Sequence, residues 1–92
     1  MITYYILKKL EKFDPAFAAE LRINGVDPDK PIFVEAYRCI GDAMEMKMFY
    51  TDTHEEVCEQ FGKKPTTTYS VETIEVDPDT TLADVRYFES AA

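Results

Sequence analysis

Residues 44–50 carry the pattern that most constrains the fold, because large apolar side chains recur there at every second position. These side chains are Met44, Met46, Met48 and Tyr50. A period of two is typical of a β-strand with one buried face. The turn-forming residues Gly41-Asp42-Ala43 come before it, preceded by a β-branched and aromatic segment at residues 32–40. The pattern therefore predicts a β-hairpin, although a helix over residues 32–40 stays open as an alternative.

Two predicted helices flank this hairpin. The first should begin at Pro15, where Asp14 can accept hydrogen bonds from the free amides, and should end at Asn24-Gly25. The second should begin at a capping box formed by Thr53 and Glu56 and should end at Gly62. The side of this helix that should face the core carries His54, Val57, Cys58 and Phe61.

The first and last strands in chain order are predicted at residues 2–7 and 66–76, which are rich in β-branched and aromatic side chains. The order strand, helix, strand, strand, helix, strand is that of a ferredoxin-like βαββαβ domain. We therefore expect one α+β domain over residues 1–92, with a four-stranded antiparallel sheet and two helices on one face. Residues 80–89 would extend it as a helix, which the pattern favours, or as a fifth strand.

The negative charge of the chain is unevenly distributed. Residues 1–40 hold six acidic and six basic side chains, whereas residues 41–92 hold twelve acidic and four basic ones, which gives the net charge of −8. Such a balance repels nucleic acid and anionic lipid and would attract a basic partner. We therefore expect a protein partner with a basic surface, and neither nucleic-acid nor membrane binding.

Six acidic residues in the first part of this region are candidate partner contacts. They are Asp42, Glu45, Asp52, Glu55, Glu56 and Glu59. Carboxylates spaced along a surface can imitate a phosphate backbone and block a basic groove. This favours an inhibitor that acts as a nucleic-acid mimic, for example a phage protein directed against a defence enzyme. The alternative is a solvated polar face that contributes solubility alone.

The sheet face opposite the predicted helices is a second candidate surface. By strand alternation it would carry Phe33, Tyr37 and Phe49. Exposed aromatic side chains of this kind indicate a partner or homodimer interface. The alternative is that the C-terminal helix covers them as a second small core.

Evidence for catalysis is limited to His54 and Cys58, which are four residues apart and could form a base and a nucleophile. Side chains on the core-facing side of a helix more often serve packing than catalysis, so we expect no catalytic residue. No metal or cofactor motif is present either. The alternative function is a small homodimeric enzyme or ligand-binding domain, with a pocket between sheet and helices lined by Tyr4, Tyr50 or His54. The N-terminus lacks a signal peptide, and a cytoplasmic location is expected.

Overall fold

The computed structural model describes residues 1–91, which form three strands and three helices. In chain order these are β1 (Ile2–Glu11), α1 (Pro15–Ile23), β2 (Ile32–Tyr37), α2 (Ile40–Gln60), β3 (Thr67–Val76) and α3 (Leu82–Ala91). The strands form one sheet in the order β2-β1-β3, with β1 antiparallel to both neighbours. The α+β class is confirmed, but the four-stranded ferredoxin-like sheet is wrong.

The main difference lies at residues 44–50, which belong to helix α2 and not to a hairpin strand. Between Gly41 and Tyr50 the chain contains no β-branched residue, while Met, Glu, Lys and Ala are strong helix formers. A helix also lets Ala43 pack with no exposed surface, and places Tyr50 and His54 on the same side. Thr53 and Glu56 therefore lie inside a 21-residue helix and do not begin one.

Both faces of the sheet carry a helix, in contrast to the predicted open face. Tyr4, Ile6 and Ala36 pack with Val85 of α3 on one face. On the other face Tyr50 of α2 stacks on Tyr69 of β3, with 5.4 Å between ring centroids. The core is consequently two thin layers that share the central strand.

A β-bulge in the β1–β2 pairing changes which side chains share a face. Phe33 lies opposite Lys8, but Tyr37 lies opposite Tyr5, so Val34 is one residue too many for the register. A one-residue slip moves the following side chains to the other face. Phe33 therefore joins the α3 side, where it packs on the core, and Tyr37 points toward α2.

The predicted ends of α1 and the helical interpretation of the C-terminal segment are confirmed. Asp14 accepts a hydrogen bond from the Ala16 N–H at 3.2 Å, and Gly25 ends the turn after α1 with a φ of 80°. Helix α3 begins with a reciprocal cap between Thr81 and Asp84. Helix α1 lies at the end of the sheet, and Ala18 is its buried residue.

An ion pair connects α3 to the edge strand β2. Glu35 accepts hydrogen bonds from Arg86 Nε at 2.7 Å and from the Ala36 N–H at 2.8 Å. Burial alone would raise the pKa of the Glu35 carboxyl, but these two donors outweigh it and hold the pKa below its ordinary value of 4.5. The folded chain therefore binds the Glu35 proton less readily than the unfolded chain does.

This lowered pKa predicts a pH dependence of stability. Glu35 stabilises the fold above pH ~4.5, and this contribution disappears as the carboxyl is protonated on acidification. The substitution E35Q should cost about 1 kcal/mol or less near pH 7, because the pair is partly exposed, and nearly nothing near pH ~3. Urea denaturation of both proteins across this range measures the difference, and an equal difference at every pH would contradict the assignment.

Candidate functional site

Helix α2 collects the six predicted acidic contacts on its solvent-facing side. With 100° per residue, they fall within about 140° of the helix circumference, opposite Ala43, Tyr50 and His54. All six are exposed, and none takes part in an ion pair among residues 1–91. We call this surface the acidic face; it consists of Asp42, Glu45, Asp52, Glu55, Glu56 and Glu59.

The acidic face is a row of charge with one wide gap. It extends over 17 helical steps from Asp42 to Glu59, which is about 25 Å. Its five intervals average ~5 Å, against about 3.4 Å per charge along one DNA strand, and the widest, from Glu45 to Asp52, is ~10 Å. The only basic residue of α2, Lys47, is half-buried on the sheet side. A basic surface approaching α2 from solvent therefore meets carboxylates in both halves of the helix, with Met48 and Phe49 exposed between them.

Helix stability does not account for all of this charge. Asp42 in the first turn interacts favourably with the helix dipole, but Glu59 in the last turn opposes it. No basic residue compensates for Glu59 there. Acidic side chains at the C-terminal end thus cost stability, which favours a role outside the fold.

The three predicted aromatic contacts do not form one surface. Phe49 lies on α2 within the arc of the acidic face and is 58% exposed. Phe33 and Tyr37 lie in β2 on opposite faces of the sheet, as the bulge requires. Of the three, Phe49 alone accompanies the carboxylates, and an exposed aromatic ring among charges is typical of a protein interface.

Three of the six acidic residues between positions 72 and 89 lie on the α3 side of the sheet, away from the acidic face. Lys8 in β1 pairs with Glu72 of β3 at 2.6 Å and with Glu89 of α3 at 3.5 Å. This triad lies on the α3 side of the sheet, and Asp84 caps α3. These three carboxylates stabilise the fold, and Glu72 in turn raises the pKa of the Lys8 ammonium above 10.5.

His54 acts as a bridge between α2 and the start of β3. Its Nε2 atom accepts hydrogen bonds from the backbone N–H groups of Thr66 and Thr67, both at 3.2 Å. Cys58 Sγ lies 3.6 Å from the same atom. An imidazole nitrogen that accepts from two amides has its lone pair engaged, so it is poorly placed to remove a proton from Cys58. The sequence indicated the proximity of the two side chains but not this role.

The bridge predicts that His54 stabilises the fold. Replacing it with Phe keeps most of the volume but removes the acceptor from two backbone amides, and should lower the free energy of unfolding by about 1–3 kcal/mol. Cys58→Ala, one turn away, is the control and should cost less. Urea denaturation monitored by circular dichroism measures both, and equal effects would contradict a bridging role for His54.

An apolar cleft of about 790 Å³ lies between α1, the start of β2 and the end of α3. Its walls include Phe13, Phe17, Leu21, Val26, Ile32 and Phe33, and the charged residues that line it include Lys8 and Glu89. Tyr4, Tyr50 and His54 do not line it. Sequence reasoning missed the cleft because it depends on where α1 lies beyond the sheet.

Comparisons with protein-family models, with curated proteins and with solved structures find no match to this chain. Within residues 1–91, no group of three or more His, Cys, Asp or Glu side chains is arranged to hold a metal ion. No helix in the same part of the chain has the length and apolar character needed to cross a membrane.

Proposed function

We propose that this chain is a non-catalytic protein-binding module that docks on a basic surface of another protein through the acidic face. The single observation that carries the proposal is the arrangement on α2 of six exposed, unpaired carboxylates on one side of one helix. Complementary charge speeds association and selects partners of opposite sign. The exposed ring of Phe49 supplies an apolar contact within the same surface.

A nucleic-acid-binding protein is the class of partner that this geometry suits best. The carboxylates follow one side of a rod about 25 Å long, and a helix with its side chains is only about 10–12 Å wide, which suits a groove that holds a nucleic-acid strand. In this form of the proposal the chain acts as an inhibitor, because it occupies the site that the nucleic acid would use. A phage protein directed against a defence enzyme would have this mode of action.

Charge reversal tests the proposal. The variant E55K/E56K/E59K should retain the fold, because all three side chains are exposed and the helix dipole favours cations in the last turn. The matched control reverses three exposed acids outside α2, as E75K/D77K/D79K. Affinity capture from cell extracts at two salt concentrations, with nucleic acid added as competitor, compares wild type with both variants.

We expect wild type and the control to retain the same basic proteins, which the α2 variant should lose. Retention should fall with added salt and with added nucleic acid. An identical set of captured proteins for all three baits, with unchanged salt sensitivity, would show that the acidic face does not bind a partner.

The cleft favours a second candidate function, the binding of a small apolar ligand. Its walls are largely aromatic and aliphatic, and its volume lies in the usual range for small-molecule sites. The probe 1-anilinonaphthalene-8-sulfonate should bind wild type stoichiometrically. F17E should abolish binding, because Phe17 lines the cleft and is already 48% exposed, whereas I23E should not, because Ile23 is 84% exposed outside it. Equal binding by both variants would contradict a site in the cleft.

A further inference from the structure

The outer edge of β3 has hydrogen-bonding groups that no other strand uses within residues 1–91. Strand β3 pairs with β1 over ten residues without interruption, and no strand lies on its other side. Lys12 N donates to Thr66 O, so Thr66 directs its carbonyl group toward β1. Hydrogen-bonded and non-hydrogen-bonded pairs alternate along an antiparallel ladder. The even-numbered residues of β3 therefore bond to β1, and the odd-numbered residues direct their N–H and C=O groups outward. The Thr67 N–H is taken by His54. The outward groups of Tyr69, Val71, Thr73 and Glu75 remain free.

This edge has few of the features that usually prevent strands from pairing, and its charged side chains are Glu75 and Glu72, which pairs with Lys8. Residues 67–76 contain no Pro, Gly or Lys, and their register with β1 has no bulge. The opposite edge is protected, because β2 is six residues long, follows Pro31 and contains the bulge. The Arg86–Glu35 pair also joins α3 to this strand. The β2 edge of the sheet is thus protected against pairing with a further strand, whereas the β3 edge is open to it.

An apolar stripe on α2 accompanies the free edge. Ile40, Met44 and Met48 follow one another at intervals of four residues, and they are 54%, 40% and 63% exposed. The connection β2-α2-β3 joins two parallel strands across β1, and such crossovers are right-handed almost without exception. With Ala43 and His54 facing the sheet, this hand places the stripe on the side of α2 above the β3 edge. A free edge and exposed apolar side chains therefore lie side by side.

We propose that this chain forms a homodimer in which β3 pairs antiparallel with β3 of a second copy, while the two apolar stripes of α2 pack against each other. The product is a continuous six-stranded sheet with both α2 helices on the same face. A monomer of this shape is unusually narrow, with a smallest dimension of 16 Å and a radius of gyration of 15.3 Å, against ~12 Å for a compact chain of this length. Pairing of two copies would remove the outer edge of β3 from water and widen the sheet.

The symmetry of the dimer determines the register. A two-fold axis perpendicular to a sheet pairs residues of the same face. An axis at Glu72 would place this carboxylate opposite its own copy, so we place the axis at Val71, midway between the free groups of Tyr69 and Thr73. Val71 then lies opposite its own copy, Tyr69 opposite Thr73, and Glu72 opposite Ser70. No pair of like charges is opposed, and the aromatic and β-branched side chains form a favourable cross-strand pair.

The helices fit the same axis. Tyr50 stacks on Tyr69, and Val71 lies two strand residues further on, about 7 Å away. Helix α2 runs antiparallel to β3, so the same distance along the helix leads from Tyr50 toward its N-terminus. It corresponds to roughly four to five helical residues, which brings the two-fold axis level with positions 45–46. These positions lie between Met44 and Met48. The centre of the apolar stripe and the centre of the strand pairing therefore coincide, which favours a second copy over an unrelated strand.

Light scattering after size-exclusion chromatography, repeated over a range of concentrations, should give twice the chain mass of 10.6 kDa. Hydrogen exchange should show protected amides at Tyr69, Val71 and Thr73, whose N–H groups have no hydrogen-bond partner within residues 1–91 of one copy. A monomer at every concentration would overturn the proposal. So would a dimer in which these three amides exchange as fast as free ones.

Two variants from independent parts of the interface keep the test decisive. T73P removes an outward N–H at an exposed position without removing a hydrogen bond to β1, and M48E places a charge in the apolar stripe. Each should weaken the dimer at least about tenfold. V57E, on the other flank of α2 at a residue 46% exposed, is the control and should leave it unchanged. If T73P fails to fold by circular dichroism, M48E and V57E still decide the question.

Dimers of M48E and V57E that are equally stable would overturn the proposal. This test is independent of the proposed partner binding, because neither T73P nor M48E changes a residue of the acidic face.

Discussion

Tyr4, Ile6 and Leu7 are all nearly inaccessible to water, although consecutive residues of a strand point to opposite faces of the sheet. A central strand that is apolar on both sides must be covered on both sides, and a three-stranded sheet cannot fold back to cover itself. Helices α2 and α3 take one face each for this reason. The burial of β1 thus decides the layered architecture, and the remaining contacts adjust the two helices on it.

Polar contacts hold those layers in position. The bridge from His54 to the amides of Thr66 and Thr67 fixes α2 against the start of β3, and the Lys8 triad fixes α3 against the other face. Glu35 and Arg86 join α3 to the protected edge. The contacts of both helices with the sheet therefore combine apolar packing with directional bonds, which a core this thin requires for a single arrangement.

Helix α2 divides its circumference among three environments. One side packs on the sheet through Ala43 and Tyr50, the opposite side carries the acidic face, and one flank carries the apolar stripe, which reaches the acidic face at Met48. In the proposed dimer two acidic faces lie on the same side of one sheet, so a partner would meet a broad negative surface and not a single helix. The net charge of −8 per chain would oppose association at low salt, and apolar contacts at the stripe would offset that repulsion.

The amino-acid sequence by itself determined the local structure wherever end signals agree with chain propensity. Asp14-Pro15 and Asn24-Gly25 bound α1, the β-branched residues of 67–76 form β3, and the charge distribution identified the acidic residues of α2. Tertiary structure decided the rest. The alternation of Met44, Met46 and Met48 fits a strand locally, but burial of Ala43 against the sheet selected a helix. The bulge at Val34 separated Phe33 from Tyr37, because register depends on the partner strand and a slip of one residue exchanges the faces.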